Sequence, residues 1–298
     1  MRIHEILAEQ RPVFSFEFFP PKTDEGQENL QATLDALRHD KPDFVSVTYG
    51  ALGSTRDRTI DIVKWIKQDL GIETMAHFTC VGATAQELRD TLSEIEAAGV
   101  ENVLALRGDA PEGEDAWTQT EGGLRYSTEL IELLGEHFDF SVGAAAFPEV
   151  HPQAQSPEAD LGFLKEKQDA GAGFFITQLF FDNEFYFDFV ARARDAGITV
   201  PIVPGIMPVT SVRNIKRITE LCKSELPEAF EHELVRREED GDAVQDLGVA
   251  YATLQCVDLL ARGAPGIHFY TLNRSPATRA ILAALRVAQP WTRAPQPV

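Results

Sequence analysis

Polar and ionisable side chains stand near the ends of apolar runs throughout this sequence. Glu17 lies in FSFEFFPP, Thr48 in VSVTYGA, His77 in HFTC, Arg107 and Asp109 in LALRGD, and Gln178 in ITQLFFD. His268, Tyr270 and Arg274 lie in GIHFYTLNR, and His151 follows the fifth run in FPEVHP. Burying such groups costs about 2–7 kcal/mol for a neutral one, so a fold that collects them must pair them or use them. A carboxyl among phenylalanines is expected to be raised by desolvation, which suits Glu17 to general-acid work near neutral pH. Arg107 and Asp109 either pair with each other or face a ligand. His77 taken alone reads as a satisfied core histidine, and Gln178 reads equally as a core amide bonded to the backbone or as a site group. Lys165 and Lys167 default to a solvated helix face.

Several other chemistries lack their signatures. No GxGxxG follows a strand, and there is no P-loop, HExxH or GxSxG. Cys80, Cys222 and Cys256 are odd in number and far apart, which excludes a disulfide framework and a CxxC metal site and fits a reducing cytoplasm. No metal site is expected.

The elements that must position these groups follow a regular rhythm. Eight segments read as buried strands: Val13–Pro20, Asp43–Tyr49, Thr74–Cys80, Asn102–Asp109, Phe140–Pro148, Phe174–Phe181, Val200–Pro208 and Gly266–Leu272. Between them lie helical patterns. Leu30, Leu34 and Leu37 share one face, as do Leu88, Leu92 and Ile95. Thr84 to Glu87 reads as a capping box, and Ser156-Pro157 and Ser275-Pro276 as helix starts. The last gap is the longest and holds extra helices, one through Val244, Leu247, Tyr251 and Leu254. Strands alternating with helices eight times predict an α/β fold, a (β/α)8 TIM barrel, with active-site groups at the C-terminal strand ends. With no linker composition inside the chain, residues 1–298 read as one domain. Period-two parity turns Phe14, Phe16 and Phe18 toward the helices and Ser15 and Glu17 inward. It likewise groups Ser46 with Thr48, His77 with Thr79, Arg107 with Asp109, and His268 with Tyr270.

The formal charge of −20 opposes binding to nucleic acid or to anionic membranes. No apolar run is long enough to span a bilayer, and no secretory signal is visible at the N-terminus.

Taken together, these strings resemble the methylenetetrahydrofolate reductase family in its bacterial, catalytic-domain-only form. VSVTYGA, HFTC, LALRGD, FPEVHP, ITQLFFD, PGIMP and FYTLNR run in order from one end of the chain to the other. The resemblance implies a barrel that binds FAD and reduces 5,10-methylenetetrahydrofolate to 5-methyltetrahydrofolate with NADH or NADPH, in one-carbon metabolism and methionine biosynthesis. It implies Glu17 as the acid and Asp109 as a catalytic carboxylate near cofactor and substrate. It places Thr48, Tyr49, Ala51, His77, Arg107, Gly108, Asp109, Phe147, His151, Ala154, Asp160 and Lys167 around FAD. Asp109, Gln178 and Arg274 fall on folate positions. A cytoplasmic homo-oligomer is expected. Phe147 stands where the family has tyrosine, Ile218 where an aromatic often packs, and Phe163 and Glu166 where basic or amide groups occur near the cofactor. A folate barrel that transfers a one-carbon group without redox chemistry, and a non-catalytic binding subunit, are the competing expectations.

Overall fold

The computed structural model describes residues 1–48, 56–108, 119–274 and 276–293. Tyr49, Ala51, Asp109 and Ser275, all singled out from the sequence, lie outside the described residues. Among the described residues, nine parallel strands form one sheet: β1 (Val13–Phe18), β2 (Phe44–Val47), β3 (Thr74–Thr79), β4 (Asn102–Leu106), β5 (Ser141–Ala146), β6 (Phe174–Thr177), β7 (Ile202–Val203), β8 (Gly205–Ile206) and β9 (Gly266–Tyr270). Their order is β7-β6-β5-β4-β3-β2-β1-β9-β8. The two edge strands are consecutive in the chain, separated only by Pro204. Together they are the seventh strand of an eight-stranded barrel, broken where proline offers no N–H. The Pro204 carbonyl still accepts from His268 N at 2.9 Å, and Gly205 N donates to Thr177 Oγ1 at 2.9 Å, so the cylinder closes across the break. The sequence-based strands therefore run too long at their C-terminal ends, most clearly at β6. There the chain leaves the ladder at Thr177 to build the mouth.

The helices α2 (Asp24–Arg38), α3 (Arg56–Trp65), α4 (Ala85–Ala97), α5 (Ser127–His137), α6 (Pro157–Asp169), α7 (Asn183–Asp195), α8 (Val212–Cys222), α10 (Gly241–Ala261) and α11 (Pro276–Ala288) follow the strands, and α9 (Glu228–Val235) lies between α8 and α10. Thr84 and Glu87 form the expected capping box, and Ser156 caps α6 with Pro157 in its first turn. In α10 the buried stripe runs through Val244, Gly248, Ala252 and Cys256, which turns Leu254 to solvent, 71% exposed. The expected face through Leu254 is thus displaced, because the helix buries its small residues.

Two cores result from strand parity. Phe14, Phe16 and Phe18 pack outward on the helices in one large cluster. Val13, Phe44, Met75, Leu104, Phe174 and Val203 fill the lower barrel with Ile3, Ile6 and Leu7 of the short N-terminal helix α1 (Ile3–Leu7). Each fully buried side chain of this size contributes about 1.5–3 kcal/mol. One step further along the same inward faces, the residues become Glu17, Thr48, His77, Gln178 and Tyr270. The barrel is therefore apolar at its floor and polar at its mouth. A third cluster, with Met207, Val212, Ile215, Phe230 and Val244, joins α8, α9 and α10 beside the mouth.

Candidate active site

A cavity of about 550 Å³ opens among the C-terminal strand ends. That volume suits a small-molecule site. Glu17, Thr48, His77, Arg107, Gly108, Phe147, His151, Lys167 and Gln178, all singled out from the sequence, line it. Asp160 supports the wall, because its Oδ2 accepts from His151 N at 3.1 Å. Ala154 sits just behind, its N–H on the His151 carbonyl. Arg274 is exposed two residues beyond Leu272, which does line the cavity.

Glu17 is the last but one residue of β1 and lies between two histidines. Its Oε2 is 3.3 Å from His268 Nε2, which donates to it, and 3.4 Å from His77 Nε2. His268 Nδ1 stands 2.8 Å from Ser15 Oγ. With Nε2 donating to the carboxylate, Nδ1 accepts the serine O–H, which fixes one tautomer. Thr271 Oγ1 donates to the Glu17 carbonyl at 2.6 Å and fixes the backbone beneath the carboxyl. Burial pushes the Glu17 carboxyl up, but the two imidazoles outweigh it and hold the carboxyl below its ordinary value, His77 through the charge it carries when protonated at acid pH and His268 through its hydrogen bond and charge. This corrects the expectation from phenylalanine content alone, since the inward neighbours of Glu17 are imidazoles and its phenylalanine neighbours face the helices. Burial lowers His77 to about 4, so the imidazole is neutral at pH 7. His77 Nε2 and the neighbouring Ser46 Oγ are buried without a protein hydrogen-bond partner.

Arg107 reaches the cavity by a different route from the one parity suggests. Asn102, Leu104 and Leu106 are the inward residues of β4, and the strand then ends. Gly108 has φ +92°, where a side chain would be strained and would meet Val81 at 2.4 Å. This turn brings Arg107 to the rim, where its Nη1 donates to Gln153 Oε1 at 2.7 Å. Lys165 follows the default and pairs with Asp169. Lys167 instead turns inward and donates to the Ala145 carbonyl at 3.0 Å. Burial brings its ammonium down to about 8, against the opposing pull of Asp160. His151 Nδ1 accepts from Gln153 N at 3.1 Å, which leaves Nε2 to carry the proton. Its ring meets Phe147 edge-on at 4.5 Å.

Gln178 sits one residue past β6, anchored by its N–H on the Ala146 carbonyl at 2.7 Å. Its Oε1 accepts from Leu179 N at 2.9 Å. Tyr270, opposite Glu17 in the β1–β9 register, donates from its hydroxyl to the Thr177 carbonyl at 2.7 Å. Ile218, noted from the sequence, and Met207 and Leu272, to which motif reading gave no role, complete an apolar side of the mouth. Among the described residues, no group of three or more His, Cys, Asp or Glu is arranged to hold a metal. No described helix is long and apolar enough to cross a membrane.

Comparison with known proteins agrees with this geometry. The family model for methylenetetrahydrofolate reductase matches residues 2–286. The 5,10-methylenetetrahydrofolate reductase of Escherichia coli is 42% identical over 274 residues, covering 92% of this chain and 90% of that protein. A probable methylenetetrahydrofolate reductase (NADH) of Oryza sativa is 40% identical over 297 residues, with 95% of this chain and 50% of the plant protein covered. The chain thus spans about half the length of its plant relatives. An uncharacterised Clostridium thermocellum protein that binds two copies of 5-methyl-5,6,7,8-tetrahydrofolic acid superposes with TM-score 0.66 at 18% identity, covering 97% of this chain and all of that one. A 2,3-dimethylmalate lyase gives 0.52 at 11%, covering 96% and 83% of the two chains. Likeness at such low identity speaks for the barrel alone. The match along nearly the whole chain, and the bacterial relative covered over nine-tenths of its length, place this chain in the methylenetetrahydrofolate reductase family.

Proposed function

We propose that this chain reduces 5,10-methylenetetrahydrofolate to 5-methyltetrahydrofolate, taking a hydride from NADH through bound FAD. The observation that carries this reading is Glu17, held between His77 and His268 at the end of a cavity whose opposite rim carries Arg107, Lys167 and His151. The plant relatives bear NADH in their names, which favours NADH over NADPH. Residues 1–298 act as one catalytic unit in this reading, in the cytoplasm, where three free thiols are stable. Exposed Leu221, Val235 and Leu254 on α8 to α10 offer apolar surface for a homo-oligomer, and a mass of 33 kDa in solution would count against that assembly.

The residues fit the cofactor. Two cationic side chains and a histidine N–H face one end of the cavity, matching a pyrophosphate, while Leu104, Leu106 and Ile176 offer apolar wall to a ring system. Buried His77 Nε2 lacks a protein hydrogen-bond partner and faces the same space. When bound, FAD supplies a two-electron carrier between nicotinamide and folate. The rest of the chemistry belongs to the chain. Reduction consumes one hydride and one proton, and the substrate's five-membered ring must open before hydride reaches the methylene carbon. Glu17 holds that proton. Its carboxyl side chain is 19% exposed, so a pterin ring laid over it removes the remaining water and strengthens burial, the influence that favours the protonated acid. The Ser15–His268 pair keeps the carboxyl aimed. Gln178 orients the ring by hydrogen bonding, and the apolar side at Met207, Ile218 and Leu272 excludes water.

The test is an absorption spectrum of the isolated protein before and after anaerobic NADH. A flavin spectrum that bleaches is expected. A protein that stays colourless and takes up no FAD would sink the reading, and one that binds folate without bleaching would favour one-carbon transfer.

Lys167 makes a second expectation. Its charge is lost as pH rises through about 8. A charge-assisted hydrogen bond contributes about 1.5–3 kcal/mol, so FAD affinity should fall by up to about tenfold between pH 7 and pH 9, where the free ammonium loses its proton. In Lys167→Met the affinity should start low and stay level over that range. Fluorescence of released FAD measures both. A slope that persists in the variant would assign the titration elsewhere.

A further inference from the structure

Residues 178–182 carry the chain out of the sheet and into the mouth. Leu179, Phe180 and Phe181 are buried, and they lie beyond the last ladder pairs of β6. A buried carbonyl left unpaired costs as much as a lost hydrogen bond, so this passage must find partners outside the ladder. Three side chains supply them. Ser224 Oγ, between α8 and α9, donates to the Leu179 carbonyl at 2.8 Å. Gln255 Nε2 of α10 donates to the Phe180 carbonyl at 3.0 Å. The Tyr251 hydroxyl, one turn earlier on α10, donates to the Phe181 carbonyl at 2.7 Å. Asn183, the first residue of α7, continues the series: its Nδ2 donates to the Gln255 carbonyl at 3.1 Å and to Asp258 Oδ2 at 2.8 Å.

The donors are themselves held in place. Ser224 and Gln255 are buried, and Tyr251 stacks on Phe230 of α9 with ring centroids 3.8 Å apart. At Gly248 an added Cβ would lie 1.8 Å from the Val209 carbonyl oxygen, so the α10 backbone rests directly on the chain that follows β8. The tie reaches Gln178 through its neighbour. Gln178 Oε1 accepts from Leu179 N at 2.9 Å, and Leu179 is the residue whose carbonyl Ser224 holds. The carboxamide is therefore aimed by a residue that the helices behind it fix. Gln178 lines the cavity, whereas Ser224, Tyr251 and Gln255 stand behind its wall.

We propose that Ser224, Tyr251 and Gln255 are positioning residues for Gln178, and that the helices inserted before the last strand serve the reaction by fixing the amide that orients folate. This rests on the folate reading above. The three side chains touch no reacting atom and act through residues 179–181. Their loss lets the segment shift, and a carboxamide displaced by a fraction of an ångström orients the ring less well.

The test is a mutant cycle with Gln178. Tyr251→Phe keeps the stacked ring and loses one hydroxyl, and Gln255→Met keeps the length of the side chain and loses one amide. Each should lower kcat/KM for 5,10-methylenetetrahydrofolate about fivefold, and the pair about 20-fold, with bound FAD retained. In a Gln178→Ala background the same pair should change kcat/KM by less than about twofold, because the amide it aims is gone. Thr253→Val removes a hydroxyl that donates within α10, to the Val249 carbonyl at 2.7 Å, and should match the wild type. A merely structural role would lower kcat/KM by the same factor in both backgrounds, and that result overturns the proposal. So does a wild-type kcat/KM in the pair variant. Hydrogen exchange needs no substrate and separates this from the folate reading. The Leu179 amide should exchange at least about tenfold faster in the pair variant, while amides of α2 keep their wild-type rates. Unchanged exchange at Leu179 overturns the proposal. If the wild type turns over no folate, faster exchange confined to residues 178–182 still supports the positioning of Gln178.

Discussion

Replacing Glu17 by glutamine is expected to slow folate reduction by about 10²–10⁴-fold, the usual contribution of a positioned general acid. Oxidation of NADH by a soluble electron acceptor should stay within about twofold of the wild type, because that step needs no proton on folate. Glutamine keeps the volume of the side chain, and its Oε1 can still accept from His268 Nε2, now 3.3 Å from the carboxylate. The Ser15–His268 contact at 2.8 Å and the Thr271 bond to the Glu17 carbonyl depend on other atoms and should persist. What is lost is the ability to hold and release a proton. The downward direction of the free carboxyl sharpens the test. With Glu17 ionised and His77 neutral near pH 7, the proton must be taken up as substrate covers the site. The folate step should then weaken as pH rises, while NADH oxidation by the acceptor does not follow the same curve. Stopped-flow or steady-state assays of the two steps decide the matter. Equal losses in both steps would make Glu17 a structural residue, and no loss in either would move the acid to another group or to water.

Much of this arrangement was legible in the sequence, for a physical reason. In a parallel barrel each strand alternates with period two, so one known inward residue fixes its whole strand. Ser15 and Glu17, His77 and Thr79, and His268 and Tyr270 were sorted in this way, and the apolar floor of Val13, Phe44 and Met75 continues the same faces. Helix starts at Thr84 and Ser156 were readable because their caps are local. Other features depend on what lies across the sheet. The bond from His268 to Glu17 spans 251 residues and exists because β1 and β9 pair in one particular register. Phenylalanine neighbours suggested a raised carboxyl, but they face the other way. Arg107 arrives at the mouth through a positive-φ turn at Gly108, which parity does not describe. Lys167 differs from Lys165 only in the side of α6 it occupies, and that decides between a cavity wall and a surface ion pair.

The break in the seventh strand supplies the other large effect. Gly205 begins β8 immediately after Pro204, and an added Cβ would lie 2.4 Å from the Thr177 carbonyl oxygen and 2.6 Å from the Tyr270 ring. These are closer than side-chain rotation in an alanine can relieve. Thr177 cannot retreat easily, since it ends β6 and the next residue is held by the 2.7 Å bond from Gln178 N to Ala146. Tyr270 must therefore move, which breaks its 2.7 Å bond to the Thr177 carbonyl and disturbs the edge-on contact with His268 at 5.4 Å. Overpacking costs about 1–3 kcal/mol and a lost hydrogen bond about 1, so Gly205→Ala should destabilise the protein by about 2–4 kcal/mol. Because His268 holds Glu17, folate reduction should fall more than NADH oxidation by a soluble acceptor. Denaturant unfolding and the two assays measure these separately. Adding Tyr270→Leu removes the ring that the new methyl meets but leaves the Thr177 oxygen in place. The double variant should therefore be more stable than the two single effects summed, with part of the loss remaining. Additive effects would show that the ring is not what alanine displaces, and an unchanged denaturation midpoint in Gly205→Ala would show that the close approach at the barrel seam is relieved by the backbone.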